Sequence, residues 1–138
     1  WGMGNTHRHA SSLADAVVSV SRAEIEKGSI LPYLGGIGRA KSIGSSAYRL
    51  LRVAAGRDDL TFSLQPESEC DICGGRGLLL STGKTYQRLD GEPCFLNQRN
   101  PFIPPGTVAG SEPLVNEMLA RLPCLPPPEI EATYALEF

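Results

Sequence analysis

The sequence predicts an α/β fold, because segments with the pattern of strands alternate along the chain with segments of helical periodicity. Of the 138 residues, 41% are hydrophobic and 20% are charged, and this composition excludes a disordered tail or a miniprotein held by disulfides. A chain of this length forms a domain of ordinary size that buries roughly two-thirds of its unfolded surface.

The first half of the chain is predicted to contain three strands and two helices. A β-branched strand over 16–20 precedes a helix over 22–33, which Ser21 and Glu24 start as a capping box. A short strand over 41–43 leads into a helix over 45–55, and an alternating, half-buried strand follows over 59–64. The apolar stripe of the second helix is expected to consist of Ala47, Leu50, Leu51 and Ala54.

The second half continues the alternation. A helix is predicted from Asp71 to Gly83, followed by a strand over 85–89 and a hairpin turn at Asp90-Gly91 with 94–96 returning. A strand over 107–109 leads to a last helix. The apolar residues expected on one side of these two helices are Ile72, Leu79 and Leu80 in the first and Leu114, Met118, Leu119 and Leu122 in the second.

The organisation predicted from composition has three parts. Residues 1–12 are expected to be the end of a truncated preceding element, since the chain starts at Trp1 without an initiator Met. Residues 13–122 form the α/β domain, and the Pro-rich segment 123–138 forms a peripheral tail. The sequence is therefore interpreted as the rear portion of a longer protein.

The net charge excludes some classes of binding partner, and the cysteine content indicates the cellular compartment. A net charge of −2 argues against a nucleic acid polymer or an anionic membrane, since both need a positive surface field. No apolar run approaches the roughly 20 residues of a spanning helix. Four cysteines without a secretion signal indicate a reducing compartment, and we expect a cytoplasmic protein.

The segment from Cys70 to Gly77 has the form CxxCxGxG, which resembles one repeat of the zinc module of DnaJ-type chaperones. Zinc needs four ligands, which that module obtains by pairing such repeats, and the pattern occurs once here. We therefore interpret Cys70 and Cys73 as two small residues that flank a helix start.

Two places could carry chemistry. Gly44, Ser45 and Ser46 stand where a strand runs into a helix, and the free N–H groups of a helix start attract anions. Asp71 opens a later helix and could ligate a hard cation such as Mg²⁺. Helix capping explains each place taken alone, whereas both together suggest a phosphate–Mg²⁺ site.

The order of short motifs along the chain resembles the C-terminal half of the inositol monophosphatase superfamily, and within it most closely the 3'(2'),5'-bisphosphate nucleotidases. The motifs are, in chain order, AVVSVSR (16–22), YLG (33–35), SIGSS (42–46), VAAG (53–56), DL (59–60), Asp71, Gly83, DGEP (90–93), Asn97 and NPFI (100–103). The resemblance covers about residues 14–122 and implies a layered α/β sandwich with a mixed sheet flanked by helices.

The resemblance also implies Mg²⁺-dependent hydrolysis of a small phosphomonoester, either a 3'(2'),5'-bisphosphate nucleotide or an inositol or sugar phosphate. Asp71 matches the metal-binding aspartate of the family's Trp-Asp-x-Ala-Ala-Gly motif, with Cys73 at an alanine position. Gly44, Ser45 and Ser46 match the segment that lines the substrate. Superfamily members often pair as homodimers, so the resemblance makes a homodimer a candidate assembly.

The chain departs from the family pattern at four places. Cys70 replaces the tryptophan before the aspartate, and Glu24 replaces a histidine. Tyr48 and Ser63 stand where the nucleotidases usually have a lysine and an arginine. With Glu24, three potential contacts to phosphate or base are therefore absent or changed in charge, and Arg49 and Arg76 could compensate.

The family's principal metal ligands, a glutamate and an Asp-Pro-Leu/Ile-Asp-Gly-Thr motif, belong to the N-terminal half and are absent here. This chain alone is therefore expected to be inactive and to act only with that half. The alternative is a non-catalytic, phosphatase-like scaffold or interaction module.

Overall fold

The structure is a computed structural model that describes residues 10–28, 30–65, 67–89, 99, 102–103 and 106–121. The strands and helices within these ranges are β1 (Val17–Val20), α1 (Arg22–Lys27), β2 (Arg39–Ser42), α2 (Ser46–Ala54), β3 (Leu60–Ser63), β4 (Glu67–Ser68), α3 (Glu69–Ser81), β5 (Thr85–Arg88), β6 (Phe102–Ile103), β7 (Thr107–Gly110) and α4 (Glu112–Arg121). The predicted turn at Asp90-Gly91, its returning strand and the Pro-rich tail lie outside the described residues.

The main sheet is mixed and has the strand order β2-β1-β3-β7-β5. β1 runs parallel to β2 and to β3, whereas β7 is antiparallel to both β3 and β5. β4 and β6 form a separate antiparallel pair. The predicted α/β class with a mixed sheet flanked by helices is therefore confirmed.

Helices cover both faces of this sheet. Val108 packs in a core with Leu114, Val115 and Met118 of α4, whereas its neighbour Ala109 packs in a second core with residues of α2 and α3. Successive side chains of a strand point to opposite faces, so α4 lies on one face and the pair α2–α3 lies on the other. β3 is buried along its whole length rather than half-buried as predicted, because neither face of the sheet centre meets solvent.

Asp58 and Asp59, which directly precede β3, accept hydrogen bonds that hold the ends of neighbouring elements. The Asp59 carboxylate accepts hydrogen bonds from the backbone N–H groups of Val17, at 2.8 Å, and Ala10, at 3.3 Å. The buried Asp58 carboxylate accepts from Arg52 Nε at 2.7 Å and Nη2 at 3.1 Å, which ties the end of α2 to the start of β3.

The first predicted helix starts at Arg22 as expected but is wrong in its length and in its capping interaction. α1 ends at Lys27 because Gly28 adopts φ +77°, a left-handed conformation that stops a helix, and a separate 3₁₀ turn follows at Leu31–Tyr33. Ser21 makes no side-chain capping bond. Glu24, expected as its partner, is instead buried in the interior.

The buried sides of α2 and α3 also differ from the prediction. Leu51 is 42% exposed and Leu80 is 44% exposed, while the charged side chain of Arg49 lies on the buried side of α2. α2 and α3 approach each other closely at Leu50 and Gly75, since a Cβ built on Gly75 would lie 2.7 Å from the Leu50 Cβ. This contact fixes which side of each helix is buried. α3 begins two residues before Asp71 and is capped by Ser68, whose Oγ accepts from the Cys70 N–H.

Candidate functional site at the carboxyl edge of the sheet

The carboxyl ends of β1, β2 and β3 meet at one edge of the sheet, because these three strands are parallel. The predicted phosphate segment follows β2 directly, α1 begins just after β1, and α3 follows β3 after the short strand β4. In open α/β sheets ligands bind outside this edge. The topology therefore gathers three helix starts where a site is expected.

The starts of α2 and α3 lie side by side at this edge. α2 connects β2 to β3, and α3 leads from β3 to β5. β2, β3 and β5 all point in the same direction, so both helices run antiparallel to these strands. Their contact between Leu50 and Gly75 falls four residues after Ser46 and four residues after Asp71. The two regions predicted to form a phosphate–Mg²⁺ site thus begin neighbouring helices.

The Gly44-Ser45-Ser46 segment combines open backbone with two hydroxyl groups. A Cβ built on Gly44 would meet no atom within 4 Å, so the backbone is accessible on that side. Ser45 Oγ accepts from the Tyr48 N–H at 3.2 Å, which makes Ser45 the N-cap of α2 as predicted. Ser46 Oγ accepts from Arg49 Nη2 at 3.1 Å. Since each hydroxyl accepts in these bonds, its own O–H proton is left to donate.

Arg49 is the charged centre of the crevice behind this segment. It is 3% exposed, and its Nη1 donates to the Ile43 carbonyl at 2.8 Å while Nη2 donates to Ser46. Nε is buried and has no hydrogen-bond partner among the described residues. Burial lowers the Arg49 pKa, and the nearby carboxylates of Glu67 and Glu24 oppose that shift. The guanidinium thus braces the loop between β2 and α2.

Glu24 and Ser63, two of the positions that depart from the family pattern, contact each other. Ser63 Oγ donates to Glu24 Oε1 at 2.5 Å, and the Leu64 N–H donates to Oε2 at 3.1 Å. Glu24 is 1% exposed, and burial raises its pKa, an effect that the two hydrogen bonds and Arg49 oppose. The two substituted residues form one buried hydrogen-bonded unit.

A small cavity lined by both polar and apolar side chains opens between α2 and the sheet at the same edge. Glu67 lies in its wall and accepts from Thr107 Oγ1 at 2.9 Å, which joins β4 to β7. The lining residues are Ser46, Arg49, Leu50, Thr61, Phe62, Ser63, Glu67, Tyr86, Thr107 and Ala109. Of the residues predicted for the site, Ser46 reaches this cavity, whereas Gly44 and Ser45 are exposed beside it.

Asp71 lies in the first turn of α3, is exposed to solvent and does not line the cavity. Within the described part of the chain, no group of three or more His, Cys, Asp or Glu side chains could hold a metal ion. Mg²⁺ needs a near-octahedral set of oxygen ligands, so these residues alone do not fit a Mg²⁺ site. The role of Asp71 as a metal ligand stays a prediction.

The other departures from the family pattern are on the surface. Tyr48 is 50% exposed, with the Arg52 guanidinium 5.7 Å from its ring centroid, and Cys70 is exposed in α3. Arg76, proposed as a compensating cation, is half-buried in α3, and its Nε has no hydrogen-bond partner in the described ranges.

Sequence reasoning missed most of the charged interior of the site. The sequence places Glu24 in a capping box and gives no signal for Glu67, because local patterns do not show which carboxylate the fold encloses. One signal was present for Arg49: it follows Ser46 by three residues, which places both on one side of a helix.

Solved structures share this architecture. The staphylococcal IMPase-II structure superimposes with a TM-score of 0.68 at 18% identity and covers 83% of this chain and 45% of that chain. The inositol monophosphatase from Anabaena gives a TM-score of 0.67 at 22% identity, with coverages of 88% and 50%. The Mycobacterium tuberculosis SuhB structure gives 0.61 at 20% identity, with coverages of 86% and 45%. The chain has the inositol monophosphatase fold.

The chain spans half or slightly less than half of the length of these solved structures. Scans against protein-family models and curated proteins found no match. None of the helices in the described ranges is long and apolar enough to cross a bilayer.

Proposed function

We propose that this chain is the C-terminal portion of a Mg²⁺-dependent phosphomonoesterase that acts on a small phosphorylated substrate. The supporting observation is the pairing of two helix starts at the carboxyl edge, one with the open Gly44-Ser45-Ser46 segment and the other with Asp71. The helix N–H groups and the serine O–H donors suit a phosphate, and the Asp71 carboxylate suits a hard cation.

Activity is proposed only together with an N-terminal half. Asp71 is the candidate metal ligand of this chain, and the remaining oxygen ligands would come from that half, since the described residues hold no metal-binding group of three. When bound, Mg²⁺ would neutralise phosphoryl charge and activate water. This chain would contribute the phosphate donors at 44–46 and position the substrate against the metal. The substrate is proposed to be a bisphosphate nucleotide or an inositol or sugar phosphate.

The test is phosphate release by the full-length protein with Mg²⁺, measured on inositol monophosphate and on adenosine 3',5'-bisphosphate. Asp71→Asn should lower kcat by about 10²-fold or more, because a metal ligand acts on transition-state charge. The matched control is Glu26→Gln, an exposed acid of α1, which should leave kcat unchanged. Equal activity of Asp71→Asn and wild type would refute the metal assignment.

A second candidate, a non-catalytic phosphatase-like scaffold, is favoured by the Glu24–Ser63 unit. The Glu24 carboxylate, which accepts a 2.5 Å hydrogen bond from Ser63, lies behind the phosphate segment. A positive charge at this place would attract an anionic substrate, whereas a carboxylate repels it. Absence of phosphate release from every substrate above, with the protein folded, would support the scaffold.

A further inference from the structure

Two thiols that the proposed function does not use flank Asp71 in α3. Cys70 and Cys73 are both free and exposed, and they occupy the second and fifth residues of the helix. The sequence pattern raised a zinc module here, but no third His, Cys, Asp or Glu joins the pair among the described residues. A pair of accessible thiols without a metal has another chemistry available, which is thiol–disulfide exchange.

The helix places the two side chains on the same side, one turn apart. Residues separated by three in a helix have Cβ atoms about 5–6 Å apart, and a disulfide requires about 3.5–4.5 Å. The first turn must therefore tighten by about 1–2 Å to close the bond.

The sequence of α3 makes this adjustment inexpensive. The first four N–H groups of a helix have no partner within the helix, so few backbone bonds hold the turn that contains Cys70. Gly74, Gly75 and Gly77 follow directly, and each glycine weakens helix by about 1 kcal/mol relative to alanine. Ile72 is fully buried in the core with Leu50, and Gly75 contacts Leu50 as well, so α3 is held from Ile72 onward. The movement therefore falls on Cys70 and the helix start before Ile72.

We propose that Cys70 and Cys73 form a dithiol that a low-molecular-weight disulfide such as oxidised glutathione converts into an intrahelical disulfide. One thiolate attacks the small disulfide, forms a mixed disulfide and releases one small thiol. The second thiolate then attacks the protein sulfur of the mixed disulfide and releases the second small thiol. In total the protein dithiol is oxidised, two small thiols are produced, and the exchange reverses in excess reductant.

Closing this bond reshapes the turn that carries Asp71, which lies between the two cysteines. The effect on metal binding rests on the proposed function, whereas the dithiol chemistry does not. The experiment therefore reads the thiols and the backbone rather than activity.

The test uses the Cys94→Ser/Cys124→Ser protein, which keeps Cys70 and Cys73 as its two cysteines. After exposure to oxidised glutathione and labelling with iodoacetamide, intact mass should show loss of two hydrogen atoms, no glutathione adduct and no label. Dithiothreitol should restore both labelling sites. Backbone amide signals of the first turn of α3 should shift on oxidation, while those of α4 should not.

The Cys73→Ser variant in the same background is the matched control and should retain glutathione on Cys70. The adduct on the two-cysteine protein should decay at least about tenfold faster, because the second thiol is intramolecular. Cys73→Ala provides the same control if the serine impairs folding. A lasting adduct on the two-cysteine protein, disulfide-linked dimers, or stoichiometric Zn²⁺ that protects both thiols would each overturn the proposal.

Discussion

Ser63 Oγ at the end of β3 donates a 2.5 Å hydrogen bond to the buried carboxylate of Glu24 in α1. This bond lies at the carboxyl edge of the sheet and joins β3 to α1, the helix that follows the neighbouring parallel strand β1. The Leu64 N–H satisfies the other carboxylate oxygen. Because a buried carboxylate is costly even when it is hydrogen-bonded, this bond makes the fold sensitive to pH.

Glu24→Gln should change how stability depends on pH. Burial raises the folded-state pKa of Glu24 above its ordinary value of 4.5, so the folded protein holds this proton more tightly than the unfolded chain. The contribution of Glu24 is thus fully favourable below pH 4.5 and declines as pH rises from there through the folded pKa.

The measurement is urea unfolding of wild type and Glu24→Gln from pH 4 to 8. The difference in free energy of unfolding should move in favour of the glutamine variant as pH rises and then level off. Glu26→Gln, on an exposed position of α1, is the control for a mere change of net charge. A difference that does not vary with pH would contradict the prediction.

Replacement of Arg49 by methionine should destabilise the fold by about 1–3 kcal/mol, because the partly buried Ile43 carbonyl and Ser46 Oγ both lose their donor. Methionine keeps most of the volume, so the loss reports on hydrogen bonding rather than on a cavity. Arg57→Met, at an exposed position, should change stability by less than about 0.5 kcal/mol. Thermal unfolding followed by circular dichroism compares the two, and equal effects would contradict the assigned role of Arg49.

Two glycines of α3 should respond to alanine in opposite directions. Gly75→Ala should destabilise the protein by about 1–3 kcal/mol, since the new methyl would lie 2.7 Å from the Leu50 Cβ and push α2 and α3 apart. Gly77→Ala should stabilise it by about 0.5–1 kcal/mol, because its Cβ meets nothing within 4 Å and alanine favours helix. Denaturant titration of both variants measures the change in the free energy of unfolding. A change of the same sign for both would contradict the close contact between Gly75 and Leu50.

Asp58→Asn should loosen the end of α2. The asparagine cannot accept both charge-assisted bonds from Arg52, so a cost of about 1–3 kcal/mol is expected. The exposed Asp15→Asn is the matched control and should be nearly neutral. The measurement is hydrogen exchange of the α2 amides. Exchange should be slow in wild type and in Asp15→Asn, and faster in Asp58→Asn, if the effect is confined to α2. Unchanged exchange in Asp58→Asn would contradict it.

Local signals in the sequence located most of the elements. β-branched residues at Val17–Val20 predicted β1, and Ser45 with the apolar periodicity after it predicted α2, since strand and capping preferences act over a few neighbouring residues. The same signals gave the α/β class. They failed for α1, where the glycine at 28 ended a helix that residue patterns extended to Tyr33.

Short-range periodicity, helix caps and motif order are enough to predict the α/β class, most element positions and the candidate residues at 44–46 and 71. Three features depend instead on how distant elements pack: Glu24 meets Ser63, Arg49 rather than Leu51 faces inward, and the starts of α2 and α3 are neighbours. Burial of a charge depends on which distant elements enclose it, and the order of strands in the sheet sets that enclosure.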